Sequence, residues 1–199
     1  IYNIFGLKVE RSVALKYLNL SDEFRYILFF GFIRKYKGLE LLIKAFAKTN
    51  LKDVKLIIAG EFYEDPAPYL QLIEKLQLTE QIILKTQFIP SEEVRYYFAV
   101  SDLVAQTYLS ATQSGVAQIA YNYLVPLLVT NVGGLSEIVP HQKVGYACNI
   151  NDDEIAHCII DFFTNNRYPE FVKNMNEERK RFEWDFFIKG LINLYEQIN

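Results

Sequence analysis

Three cations stand between two glycines in Gly31-Phe32-Ile33-Arg34-Lys35-Tyr36-Lys37-Gly38, directly behind the apolar run Tyr26–Phe30. Arg grips phosphate oxygens through a planar fork, and Lys meets them as a point charge. Alone, such a run reads as a solvated basic turn. At the carboxyl end of a parallel strand it faces the ligand edge of the sheet, which favours an anion site around Gly31, Arg34 and Lys37. A second pattern fills Ser110–Glu137, SATQSGVAQIAYNYLVPLLVTNVGGLSE. Its polar loop (Ser110, Thr112, Gln113, Ser114, Gly115) opens an apolar helix over Val116–Tyr123. A helix start offers unpaired N–H groups and the positive end of its dipole, a natural phosphate site when it follows a strand. The N–H groups around Ser114, Gly115 and Val116 are the candidates. Ser110 and Thr112 read equally as turn or cap residues. Gln118 is a polar residue amid Val116, Ala117, Ile119 and Ala120, so it meets either a ligand or neighbouring backbone.

Weaker signals lie elsewhere on the same edge. Gly60-Glu61 follows a strand, where a glycine permits a sharp turn or a close ligand approach. Phe88-Ile89-Pro90 either presents backbone around Ile89 to a flat base or is simply core and turn. Gly133-Gly134 before Ser136-Glu137 is a candidate anion nest. Glu137 is either a first-turn acid or a ligand contact, and the residues do not choose. Neither Gly-x-Gly-x-x-Gly nor Gly-x-x-x-x-Gly-Lys-Ser/Thr occurs, so the dinucleotide fingerprint and the P-loop are missing. His141 and His157 stand alone, Asp152-Asp153-Glu154 reads as a helix-capping cluster, and no aspartates stand one residue apart to clamp a metal diphosphate.

The elements that position these loops follow from hydrophobic periodicity. Tyr26–Phe30, Val54–Ala59, Ile82–Lys85, Leu103–Gln106 and Leu127–Thr130 read as buried strands, with a short one near Tyr146–Cys148. Helices are expected near Arg11–Leu18, over the LELLIKAFAKT segment behind Gly38, at Pro66–Leu76, and from Ser91 to about Val100, with Ser91 as cap. Further helices are expected over Asp153–Phe163, Tyr168–Phe182 and Trp184–Ile198. Strand–helix alternation implies right-handed βαβ units and a parallel sheet covered on both faces, an α/β Rossmann-like architecture. Residues 1–25 read as a linker segment, 26–165 as the Rossmann-like domain, and 166–199 as C-terminal helices packing on it.

Bulk properties narrow the function class. At 199 residues, 51% hydrophobic and 23% charged, the chain has the make-up of an ordinary globular domain. A net charge of −3 and a pI near 5.5 give no reason to expect a nucleic-acid partner. No apolar run reaches the roughly 18 residues of a membrane span, and a cytoplasmic location is expected. The two cysteines, Cys148 and Cys158, have no metal-type spacing and read as small buried hydrophobes. The chain begins Ile1-Tyr2-Asn3 without methionine, so it is expected to be an excised piece of a longer protein, with some of its many aromatics facing a partner domain.

Several ordered motifs now share one resemblance. FFGFIRKYKGLELLIKAF, LIIAGE, FIPSEEVRYYFAVSDLV and QSGVAQIAYNYLVPLLVTNVGGLSEIV, with Gly145 beyond them, resemble the nucleotide-binding C-terminal half of retaining GT-B-fold glycosyltransferases of family 4, the "group 1" type. The match spans roughly Tyr26 to Ile150. The resemblance implies half of a GT-B fold, a nucleotide-diphosphate-sugar donor as substrate, no cofactor and no metal. It also implies an acceptor-binding N-terminal domain outside this chain, and it leaves peripheral membrane association of the longer protein open.

Carried over by position, the family's first-loop lysine is Lys37, followed by Gly38. Phe32 occupies the arginine position, and Arg34, two residues on, is the basic group placed to substitute for it. The family's two glutamates, separated by seven residues, fall on Ser110 and Gln118, so both charges are lost. An amide at Gln118 still bonds ribose hydroxyls, whereas serine at Ser110 replaces a sugar-facing acid only in part. The implied mechanism is transfer with retention of anomeric configuration, with Arg34, Lys37 and the helix N–H groups stabilising the departing phosphate. Gly31, Gly60, Glu61, Ile89, Ser110, Ser114, Gly115, Val116 and Gln118 would complete the donor site. Two other functions remain open: a non-catalytic nucleotide-sugar-binding module, and a nucleotide-sugar epimerase of the same fold.

Overall fold

The computed structural model describes residues 4–183 together with Ile188, Leu191, Ile192 and Tyr195. Six strands alternate with helices along the chain: α1 Arg11–Leu18, β1 Arg25–Phe30, α2 Leu39–Thr49, β2 Val54–Ala59, α3 Ala67–Lys75, β3 Ile82–Lys85, α4 Val94–Val100 and β4 Leu103–Gln106. They continue with α5 Gly115–Tyr123, β5 Leu127–Thr130, α6 Leu135–Ile138, β6 Gly145–Cys148, α7 Asp152–Thr164 and α8 Tyr168–Glu178. The strands form one sheet in the order β3-β2-β1-β4-β5-β6, and all pairs are parallel.

Period-2 side-chain alternation explains why these strands read as continuous apolar runs. In β1, Ile27 and Phe29 enter one core with α2, α3 and α7, while Tyr26 and Leu28 enter the other with α1, α4 and α5. β2 alternates likewise: Leu56 and Ile58 face the first core, Ile57 and Ala59 the second. Full burial of each such side chain stabilises the fold by roughly 1.5–3 kcal/mol, so a polar substitution on either face is costly.

Strand order reverses between β1 and β4, and there the paired register is shortest. The two strands pair only at Ile27↔Leu103 and Leu28↔Val104, although β1 runs on to Phe30 and β4 to Gln106. Their carboxyl ends therefore open a crevice at the switch point, the usual ligand position in such sheets. At the opposite edge Asp102 ties the elements together. Its carboxylate accepts from the Tyr26 backbone N–H at 2.7 Å and pairs with Arg11 of α1 at 3.3 Å. Burial raises the Asp102 pKa, against the attraction of Arg11.

Several expectations need correction. α4 begins at Val94, and Ser91–Glu93 form a turn ahead of it without a side-chain cap. The N-terminal segment is part of the folded body, since Ala14, Leu15 and Leu18 of α1 are buried in the core that contains α4. The Tyr168–Phe182 helix divides: α8 ends at Glu178 and a 3-10 turn covers Arg179–Phe182. The helix expected over Trp184–Ile198 falls outside the described residues, save for Ile188, Leu191, Ile192 and Tyr195, which are helical and exposed.

Candidate donor-binding site

Two loops meet over the crevice. The loop after β1 ends in a 3-10 turn, Lys35–Lys37, and Gly38 turns the chain into α2 with φ +66°. A Cβ on Gly38 would sit 1.9 Å from the Thr107 carbonyl oxygen, so only glycine lets this loop lie against the one after β4. Thr107 Oγ1 donates to the Gly38 carbonyl at 2.9 Å, and the Leu109 N–H donates to the Tyr36 carbonyl at 2.7 Å. These contacts place the basic loop beside the polar loop that opens α5.

A cavity of about 790 Å³ occupies the space above, lined by Tyr36, Lys37, Tyr108, Ser110, Ser114 and Val116 among others. Lys37 is only 8% exposed. Burial, reinforced by the neighbouring Arg34 charge, lowers its pKa to about 8. Its ammonium also stands 5.8 Å from the Tyr108 ring centroid. A Cβ on Gly31 would lie 3.1 Å from Lys37 Nζ and 3.9 Å from Val116 Cγ2. The buried ammonium and the first turn of α5 thus converge over one glycine.

α5 starts open. Its N-cap, Ser114, makes no capping hydrogen bond, and no acid stands in the first turn. Instead the buried Ser114 hydroxyl lies 3.4 Å from that of Tyr108. Burial pushes the Tyr108 phenol up to about 12, so it is neutral at physiological pH and serves as a hydrogen-bond donor or acceptor. The first turn of α5 therefore meets the cavity at Ser114, Gly115 and Val116, and no Asp or Glu is among the described residues that line it.

Gly31, Gly60, Glu61 and Ile89 line a second cavity of about 200 Å³, together with Phe32 and Phe88. Phe5 lines both cavities and makes them neighbours. The Glu61 carbonyl accepts from the Ile33 N–H at 2.7 Å, which holds the loops after β1 and β2 together.

The structure brings most of the expected residues to this edge but separates three. Gln118 lies off the line of Gly115, Val116 and Ile119, the α5 residues that meet the cavity, because a helix turns about 100° per residue. Arg34 lines neither cavity. Its guanidinium carbon sits 4.1 Å from the Tyr63 ring centroid, while its buried Nε has no hydrogen-bond partner among the described residues. Its charge still reaches Lys37. Glu137, on the single turn of α6, is exposed and away from both cavities. The Gly133-Gly134 nest is not free, because the Gly134 N–H donates to the Thr112 carbonyl at 3.1 Å and the Leu135 N–H to Val132. That pair buttresses the polar loop instead.

Sequence reasoning missed Tyr36, Tyr108 and Phe5. Tyr36, inside the basic loop, and Tyr108, two residues beyond β4, carried a positional signal. Phe5 carried none, since its place depends on Tyr123 Oη holding the Phe5 and Gly6 carbonyls at 3.1 and 2.9 Å.

Known proteins resemble this chain in sequence and in fold. The family model described as "Glycosyl transferases group 1" matches residues 13–182. An uncharacterised glycosyltransferase of Methanocaldococcus jannaschii is 27% identical over 184 residues, which cover 90% of this chain and 46% of that protein. The N-acetyl-alpha-D-glucosaminyl L-malate synthase of Bacillus anthracis is 25% identical, covering all of this chain and 52% of the enzyme. The chain therefore spans about half the length of these relatives. In fold it superposes with TM-score 0.78 on the C-terminal domain of a group 1 glycosyl transferase from Francisella tularensis, at 19% identity, covering 89% of this chain and 95% of that domain. Anabaena HepE in complex with UDP and glucose matches with TM-score 0.78 at 20% identity, covering 94% of this chain and 52% of that one. The sheet, its switch-point crevice and the family match lead to one assignment: the chain belongs to the glycosyl transferases group 1 family and has the Rossmann-like fold of a GT-B half-domain.

Proposed function

We propose that this chain is the donor-binding part of a retaining, metal-independent glycosyltransferase that takes its sugar from a nucleotide diphosphate. The observation that carries the reading is the convergence of buried Lys37 and the uncapped start of α5 over Gly31. Breaking a sugar–diphosphate bond places developing negative charge on the leaving phosphate. A preorganised ammonium and backbone N–H groups in a water-poor crevice stabilise that charge without reorganising. Arg34 acts at one remove, adding positive potential and becoming a direct partner only if it leaves the Tyr63 ring. The about 790 Å³ cavity takes the diphosphate and sugar, and the smaller one takes the base against Ile89 and Phe32. The nucleotide-sugar class is supported by HepE, solved with UDP-glucose.

A binding module without activity is the second reading, favoured by the absence of any Asp or Glu from the described lining of the larger cavity. Calorimetry with UDP, GDP, ADP and their sugars tests the site itself, and a folded chain that binds none of them sinks both readings. Lys37→Ala should weaken nucleotide binding about tenfold or more, the loss of one partly desolvated charge contact. In a protein that transfers sugar, the same change should lower kcat more than it raises KM, since the leaving phosphate gains charge only in the transition state. Nucleotide-sugar binding without any transfer, in a polypeptide that also carries the acceptor-binding domain, favours the binding module.

A further inference from the structure

The chain has only two cysteines, and the fold brings them together between β6 and α7. Cys148 ends β6, is fully buried, and its thiol donates to Cys158 Sγ at 3.2 Å. Cys158 lies in α7 and is partly exposed. We infer that Cys148 and Cys158 are a redox-active dithiol that low-molecular-weight disulfides convert to an intrachain cross-link between β6 and α7.

Geometry divides the roles. Only Cys158 meets solvent, so it receives the oxidant, and Cys148 waits behind it as the resolving thiol. The hydrogen bond from Cys148 stabilises a Cys158 thiolate and lowers its pKa, while the same bond and burial raise that of Cys148. The Cys158 thiolate attacks one sulfur of oxidised glutathione, forming a mixed disulfide and releasing one glutathione thiolate. Cys148 Sγ then attacks Cys158 Sγ, the mixed-disulfide bond breaks, and the departing glutathione sulfur takes the Cys148 proton and leaves as thiol. Two protein thiols are thereby oxidised by two electrons, and one glutathione disulfide is reduced to two thiols. A covalent S–S bond is about 2.05 Å, so the sulfurs must approach by only about 1.2 Å from 3.2 Å. The flanking contacts already hold the two segments together. Asn149, next to Cys148, donates from its backbone and side chain to Glu154 of α7 at 3.0 Å each.

The test is intact-mass analysis of the chain after exposure to oxidised glutathione. The native chain should lose two hydrogen masses, retain no glutathione, and melt at a higher temperature than its reduced form. Cys148→Ser should keep one glutathione on Cys158, because the resolving thiol is gone. Cys158→Ser should stay unmodified under the same conditions while folded, as judged by circular dichroism. A native chain that remains reduced, or that accumulates a stable glutathione adduct, overturns the proposal. So does modification of Cys148 in Cys158→Ser as fast as native oxidation, since Cys148 would then need no partner.

Discussion

At the scale of single residues, Lys37 carries opposite demands for folding and for binding. Its folded pKa of about 8 lies below its ordinary value of 10.5, so the folded state binds fewer protons between those limits. Stability contributed by this residue therefore rises as pH climbs from about 8 to about 10.5, and the burial penalty is fully present below pH 8. The penalty is of order 3 kcal/mol. Lys37→Met, which keeps the stem and removes the charge, should stabilise the chain at pH 7 by about 1–3 kcal/mol in urea unfolding, while nucleotide binding falls. A destabilised variant would contradict the buried-charge assignment. The proposed nucleotide binding should have the reverse pH dependence. A diphosphate selects the protonated ammonium, so affinity for UDP-type ligands should decline above about pH 8 by up to tenfold per pH unit, read by calorimetry from pH 6.5 to 9.5. Lys37 was legible from its loop, between glycines behind an apolar strand. The depth of its burial was not, because it depends on Tyr36 and Tyr108 from two loops closing around it.

At the scale of elements, the site exists because two loops are locked together at the switch point. The strands were readable as short continuous apolar runs, since most have apolar residues in both cores, and most helices from period-3.6 patterning. What the patterning could not reveal was the sheet order, which makes the loops after β1 and β4 neighbours although about 70 residues separate them in sequence. The misplaced Gln118 has the same origin. A one-residue step along α5 rotates a side chain by about 100°, and motif spacing alone does not fix that phase. The Gly133-Gly134 nest failed for a tertiary reason as well, because the Thr112 carbonyl already takes the Gly134 N–H. Gly38→Ala tests the lock. Alanine at φ +66° costs about 1–2 kcal/mol, and its Cβ must displace the Thr107 carbonyl now 1.9 Å away. A loss of about 3 kcal/mol or more is expected in chemical unfolding, with nucleotide affinity falling even in the fraction that stays folded. A variant of native stability would show that the loops move apart freely, against the geometry described.

At the scale of the whole molecule, the rim of the crevice is apolar. Ile4 and Tyr36 on the larger cavity and Phe32 and Phe88 on the smaller one are exposed, an apolar rim around both. Scattered exposed hydrophobes are ordinary, but a group gathered at a ligand edge marks a surface that something covers. The chain spans about half the length of its curated relatives, and a second, acceptor-binding domain is the occupant we propose. Transfer with retention needs the acceptor oxygen held on the leaving-group face of the sugar and water excluded, and the proposed donor site alone supplies neither. Residues 1–199 alone should therefore bind a nucleotide diphosphate weakly and transfer no sugar. A polypeptide that also carries the proposed second domain should transfer sugar from one nucleotide-sugar of the panel with its anomeric configuration kept, and a chelator should leave that rate unchanged. Proton NMR of the product anomer, with and without EDTA, reads both properties in one experiment. Inversion would remove the retaining assignment, and chelator-sensitive transfer would mean that Lys37 and the start of α5 do not carry the leaving-group charge alone. Transfer by residues 1–199 would instead mean that the donor site alone suffices, and that the apolar rim has another use.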